Sequence, residues 1–103
     1  MIHVIALITA KPGMREEMLA AFQINRLNVL AEKGCIEYVS VVDADGAGVL
    51  QTAIGGDTFM VVEKWESLES LKAHATAKHM AAYAEQVSGM LAERVIHILT
   101  PVS

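Results

Sequence analysis

Four stretches of the chain are rich in β-branched and apolar residues, and we predict that each forms a β-strand. They cover residues 2–9, 36–43, 58–65 and 94–100. Pro12 and Gly13 mark a turn after the first stretch, and Pro101 ends the last. The second and third stretches are predicted to pair antiparallel. Residues 44–57 between them are long for a hairpin connection, and 49–54 are a candidate for a short strand extension.

Two further stretches have the composition and end signals of helices. Residues 14–33 favour helix, with Glu16 and Glu17 near the positive end of its dipole and Gly34 placed to cap its C-terminus. Ser67 is a good N-cap for a second helix, which we predict to break near 76–78 and to reach residue 91. The order β-α-β-β-α-β predicts an α+β, ferredoxin-like fold with both helical segments on one face of a four-stranded antiparallel sheet.

The strands are apolar on both faces, whereas an antiparallel sheet with one wet face alternates apolar and polar residues. In the first strand Val4, Ala6 and Ile8 point one way, and Ile5 and Leu7 point the other. The third and fourth strands repeat the pattern. Leaving several such side chains in water forfeits on the order of 10 kcal/mol, at about 25 cal/mol per Å². We therefore predict a homodimer in which a second copy covers the open face.

Composition supports this prediction and excludes several partners. The chain is 53% hydrophobic and 19% charged, with a mean hydropathy of +0.39, and its length fits one domain over residues 1–103. The net charge is −4 without a block of Lys or Arg, so nucleic acid is not expected. The sequence shows no signal-peptide pattern, no apolar run of the roughly 20 residues that cross a membrane and only one cysteine, Cys35. We expect no membrane partner and a cytoplasmic protein.

Several segments share their order and spacing with a known family. They are Ala10-Lys11-Pro12-Gly13, Glu32-Lys33-Gly34-Cys35-Ile36-Glu37-Tyr38, Val62-Glu63-Lys64-Trp65, and Trp65 followed nine residues later by His74. Together they resemble the antibiotic biosynthesis monooxygenase family over nearly the whole chain. The resemblance implies a dimeric α/β barrel, in which two four-stranded sheets close into a barrel with the helices outside. It also implies cofactor-independent oxygenation of phenols or quinols.

Relatives in that family degrade haem or isomerise a small signalling molecule, so the fold does not choose the reaction. Haem-degrading members carry an Asn on the first strand, and the corresponding Ile5-Ala6-Leu7 has none. This departure argues against haem degradation, although haem binding is kept as a third possibility.

Asn25 is the most informative candidate, because it places an amide in an apolar helical stripe with Met18, Phe22 and Val29. It is either a structural residue that hydrogen-bonds a neighbouring backbone group, or it lines a cavity between helix and sheet and holds a substrate carbonyl or phenolate. Relatives that isomerise a signalling molecule carry an Asn in a comparable Phe-x-x-Asn setting.

His74 is the candidate general base, since imidazole titrates near neutral pH and the resemblance places it beside the pocket. Without the resemblance an ordinary, partly buried or surface histidine is the commoner outcome. His79 follows five positions later, about 140° around a straight helix. We therefore predict no metal pair, unless a break near Ala77 brings the two together. Trp65 is either a core anchor or a flat wall for an aromatic substrate.

Tyr38, Glu63 and Tyr83 are further candidates for hydrogen bonds in the pocket, which Phe22 and His79 complete. The chain has no Gly-x-Gly-x-x-Gly, phosphate loop, His-Glu-x-x-His or Gly-x-Ser-x-Gly motif, so nucleotide, flavin and triad chemistry are disfavoured.

The prediction is a monooxygenase of a small phenol or quinol, working without cofactor or metal. His74 would be the base, Asn25 would orient the oxyanion and Trp65 would stack on the ring. The alternatives are an isomerase in the same pocket, or a non-catalytic homodimer that binds a small apolar metabolite or serves as a stress-associated accessory domain.

Overall fold

The computed structural model describes residues 1–103 as one antiparallel sheet with helices on one side. Its elements are β1 (Ile2–Ala10), α1 (Arg15–Leu30), β2 (Cys35–Val41), β3 (Thr58–Trp65), α2 (Leu68–Ala75), α3 (Lys78–Val87) and β4 (Leu91–Leu99). The four strands lie in the order β2-β3-β1-β4, and every neighbouring pair is antiparallel. The predicted ferredoxin-like sheet is confirmed, with the second helix divided into two.

The helix ends follow the predicted signals only in part. The Ser67 hydroxyl accepts a hydrogen bond from the Ser70 amide, so the predicted N-cap of α2 is confirmed. The helix breaks at Ala77, whose extended backbone starts α3, as predicted, but α3 ends at Val87. The predicted C-cap is wrong: α1 ends at Leu30, and Gly34 instead forms a later turn with φ +86.

The predicted strand extension at 49–54 is also wrong. Gly48–Leu50 forms a single 3-10 turn, and the following residues up to β3 belong to no strand. The Asp43 carboxylate accepts hydrogen bonds from the amides of Ile54 and Gly55 and from the Gln51 side chain. A side chain therefore satisfies the polar groups that a strand would have paired.

The face of the sheet that the helices cover holds the core, and its residues alternate along the strands as predicted. Val4, Ala6 and Ile8 of β1 are buried, while the intervening Ile5 and Leu7 are only half-buried. On β3 the buried positions are Thr58, Phe59, Val61, Glu63 and Trp65. Met18, Phe22 and Val29 of α1 close this layer.

The helices do not reach the edge strand β4. Ile96 and Ile98 pair with Ala6 and Val4 and so lie on the helix side, yet they are 48% and 56% exposed. On the other face Val95 and Leu99 are also exposed. The prediction that the helices cover one whole face therefore holds for three strands only, because α1 packs on β2, β1 and α3. None of the helices has the length and apolar character to span a membrane.

Gly34 is expected to be intolerant of a side chain. Its φ is +86, and an added Cβ would lie 2.2 Å from the Ser70 hydroxyl oxygen and 2.7 Å from the Ser70 Cβ. Left-handed backbone costs about 1–2 kcal/mol for an L-residue, and overpacking adds about 1–3 kcal/mol. We expect Gly34→Ala to lower the free energy of unfolding, measured in urea, by about 2 kcal/mol or more.

Gly46→Ala is the matched control, because Gly46 has φ +79 and nothing within 4 Å of its Cβ position. Its free energy of unfolding should fall only by the cost of placing an alanine in the left-handed backbone conformation. Equal losses in the two variants would show that the contact with Ser70 does not matter.

Candidate active site between the helices and the sheet

A carboxylate and two imidazoles lie together where the end of α1, the end of α2 and the start of α3 come close. Glu32 lies in the turn after α1, His74 lies in the last turn of α2, and His79 lies in the first turn of α3. Glu32 Oε2 is 2.8 Å from His74 Nδ1 and 3.0 Å from His79 Nε2. The break at Ala77 turns His79 toward His74, so the separation expected on a straight helix does not apply.

Rings surround the buried side of this cluster. The centroids of His74 and Trp65 are 4.7 Å apart, and Tyr38 lies 5.4 Å from His74 in an edge arrangement. Phe22 stacks on Tyr38 at 5.2 Å and meets Tyr83 edge-on at 6.4 Å. His74 and Trp65 are 5% and 0% exposed, so the imidazole lies against a dry aromatic wall.

Glu63 is a buried carboxylate beside the same wall. It pairs with Tyr38 across β2 and β3, and its Oε1 accepts a hydrogen bond of 2.9 Å from the indole nitrogen of Trp65. Burial raises the pKa of Glu63, the charge of Glu32 raises it further, and the Trp65 hydrogen bond and the His74 charge oppose the rise. The hydrogen bond from Trp65 to this carboxylate fixes the orientation of the indole ring.

Both tyrosines of the cluster keep their protons at neutral pH. Burial raises the pKa of Tyr83 to about 12, and burial together with the charge of Glu63 raises the pKa of Tyr38 further. Each hydroxyl can therefore donate a hydrogen bond, but neither can serve as a base near neutral pH.

Asn25 lies apart from the aromatic wall, in a groove between α1 and α3. Its amide donates to Met80 Sδ at 3.3 Å, and its carbonyl oxygen accepts from Asn28. The groove has a volume of about 220 Å³ and is lined by Ala21, Ile24, Asn25, Asn28, His79, Ala82, Tyr83 and Gln86. The sequence predicted a cavity between helix and sheet, but large rings fill that space and the opening lies between the two helices.

The structure thus brings seven of the predicted residues into one contact network, and Asn25 joins it through the groove that it shares with His79 and Tyr83. Glu32 was not predicted. The sequence offers one signal for it, because the helix dipole disfavours a carboxylate at the C-terminal end of α1 by about 0.3–1 kcal/mol and so favours a nearby donor. The roles of these residues in catalysis stay predictions.

Comparison with known proteins supports the resemblance predicted from the sequence. The family model described as antibiotic biosynthesis monooxygenase matches residues 1–86. A protein of Escherichia coli strain K12 with the name probable quinol monooxygenase YgiN is 38% identical, over 98% of each chain. The resemblance is confirmed.

Solved structures share the fold. PA3566 from Pseudomonas aeruginosa matches with a TM-score of 0.82 at 22% identity, over 99% of this chain and 94% of its own. Rv0793 from Mycobacterium tuberculosis matches with a TM-score of 0.79 at 24% identity, over 99% and 95%. At these identities the two structures establish the fold alone.

The raised pKa of Glu63 predicts a pH-dependent effect of Glu63→Gln. A raised pKa means that the folded state holds the proton more tightly than the unfolded state. The resulting stability is present at low pH and is lost as pH rises through the folded pKa. Gln cannot ionise and keeps an oxygen for the Trp65 hydrogen bond. We expect the variant to gain stability relative to the wild type as pH rises above 4.5, the ordinary pKa of a glutamate, until the folded-state pKa of Glu63 is passed.

Urea unfolding at a series of pH values measures this difference. Glu85→Gln, at an exposed position of α3, is the control and should follow the wild type. If the advantage of Glu63→Gln stays constant or shrinks as pH rises, burial does not govern the ionisation of Glu63.

Proposed function

The chain belongs to the antibiotic biosynthesis monooxygenase family, and from this premise we propose that it is a cofactor-independent monooxygenase of small phenols or quinols. The observation that carries the proposal is a buried imidazole, His74, held by a carboxylate against an aromatic wall. The relative at 38% identity, named as a quinol monooxygenase, supports the same class of substrate.

His74 acts as the general base in this proposal, and Glu32 is its positioning residue. With Glu32 ionised, the imidazole donates from Nδ1, which leaves Nε2 as the nitrogen that accepts a proton. A carboxylate that holds the imidazole in one tautomer and stabilises its protonated form makes it a better base. The burial of His74 keeps water from competing for the substrate proton.

The neighbouring side chains receive and orient the substrate. Trp65 and Tyr38 pack on the His74 ring and hold it in place, and the Tyr83 hydroxyl in the groove can donate a hydrogen bond to the substrate. Asn25 lines the groove, and its amide would exchange its contact with Met80 Sδ for the developing oxyanion that the sequence predicts it to orient. His74 is buried behind the groove, so the side chains of His79 and Tyr83, which line it, would have to move for a substrate to reach the imidazole.

The chemistry needs no electron source other than the substrate. The base takes a proton from the quinol, and the resulting anion gives electrons to oxygen. A carbon–oxygen bond then forms on the ring and the oxygen–oxygen bond breaks. One oxygen atom stays in a hydroxyquinone and the other leaves as water. The quinol supplies all four electrons, so one quinol and one O₂ yield one hydroxyquinone and one H₂O.

The homodimer forms part of the proposal. The open face carries Ile5, Leu7, Met60 and Val62 at the centre of the sheet, and β4 is exposed on both faces. A second copy that packs its sheet on this face would bury these side chains. Each Å² of apolar surface removed from water would contribute about 25 cal/mol to the stability of the dimer. We also propose a cytoplasmic location, where the free thiol of Cys35 stays reduced.

Oxygen consumption tests the activity. EDTA-treated protein is expected to consume oxygen with a small hydroquinone, with one O₂ used per quinol. His74→Ala removes the base and should lower the rate by about tenfold or more, since general bases contribute about 10²–10⁴-fold. Lys72→Ala, an exposed change on the same helix, is the control and should keep the wild-type rate.

Equal rates in His74→Ala and the wild type would remove His74 from the mechanism. Conversion of the substrate to an isomer without oxygen use would replace the proposed monooxygenase with an isomerase.

Analytical ultracentrifugation tests the dimer. The wild type is expected to sediment as a dimer at micromolar concentration. Leu7→Glu places a charge in the centre of the open face, and burying an unpaired carboxylate costs several kcal/mol. The variant should therefore dissociate about 100-fold more readily.

Leu27→Glu is the matched control, because Leu27 lies on α1 and is 72% exposed. It should sediment as the wild type does. A cooperatively folded wild-type monomer at micromolar concentration would overturn the proposed dimer.

A further inference from the structure

Glu32, His74 and His79 form a compact cluster of three side chains whose types are common metal ligands in proteins. One ligand atom from each residue lies within 4.8 Å of the other two, and the two imidazole nitrogens approach the same carboxylate oxygen. We propose that these three residues bind a first-row divalent transition-metal ion such as Zn²⁺.

The donor set fits this class of ion. Two imidazoles and one carboxylate occur in zinc sites that keep an open position, with metal–ligand distances of about 2.0–2.2 Å. The three donor atoms lie within 4.8 Å of one another, so movement of the side chains alone could bring them around one centre. His79 is 26% exposed and lines the groove between α1 and α3, so an ion has a path to the site.

Burial and charge favour a cation at this point. The side chains of Glu32 and His74 are only 15% and 7% exposed, and the aromatic wall holds the His74 ring. The Glu32 carboxylate is paired with the two imidazoles and with no Lys or Arg. A divalent ion would offset its charge in this partly buried position.

Binding the ion requires a change of tautomer in each neutral ring, together with the side-chain movement described above. Without it, His74 Nδ1 and His79 Nε2 face the Glu32 carboxylate and can donate to it. With it, the same nitrogens become ligands and each ring carries its proton on the other nitrogen. The ion would join the end of α1 to both sides of the break at Ala77.

Zinc titration of the EDTA-treated full chain tests the inference. Calorimetry is expected to give one Zn²⁺ per chain and a raised melting temperature. Co²⁺ is expected to bind with an absorption spectrum typical of four-coordinate geometry. His79→Ala and Glu32→Gln each remove one ligand and should weaken Zn²⁺ binding by about 100-fold or more, while His97→Ala, on the exposed β4, should leave it unchanged.

Two results would overturn the metal site. One is the absence of stoichiometric Zn²⁺ binding to the wild type, a result that needs no variant. The other is equal affinity in His79→Ala and the wild type, with both folded by far-ultraviolet circular dichroism, which would mean binding elsewhere on the surface. Oxygen consumption is measured on metal-free protein, so the metal site and the proposed function fail independently.

Discussion

The structure depends on one constraint: the helices are too few to cover the apolar side chains on both faces of the sheet. Four strands carry apolar side chains on both faces, and the helices shelter only β1, β2 and β3 on one side. Because α1 packs across β2 and β1 and against α3, the large rings of the core collect over that half of the sheet. The dry region is therefore off-centre, and the candidate site lies within it.

Polar groups inside this layer are tolerated because each has a partner. Glu63 accepts from Trp65, Glu32 bridges two imidazoles, and no buried side-chain nitrogen or oxygen lacks a hydrogen bond. Such a network loses stability when one member is removed and the others stay buried. The hydrogen bonds that satisfy these buried polar groups also hold His74 in a fixed orientation. Proton transfer and metal binding both require that orientation.

The break in the second helix shows which features local sequence signals predict and which they do not. The sequence predicted its position near 76–78, and the Ser67 cap was predicted as well. The sequence left open whether this break brings His74 and His79 together, because the angle between two helical segments depends on what each packs against. Glu32 lies 42 residues before His74, and only the tertiary structure, in which α1 packs beside α3, brings them together.

The sequence by itself determined the order of the elements, the strand at Thr58–Trp65 and the alternation that buries Val4, Ala6 and Ile8. Those features follow from local propensity and from the period of side chains along a strand. Only the tertiary structure decided that β4 stays uncovered, that the groove opens between α1 and α3, and that Glu32 joins the two histidines. These depend on contacts between residues far apart in the chain, whose distances no local pattern specifies.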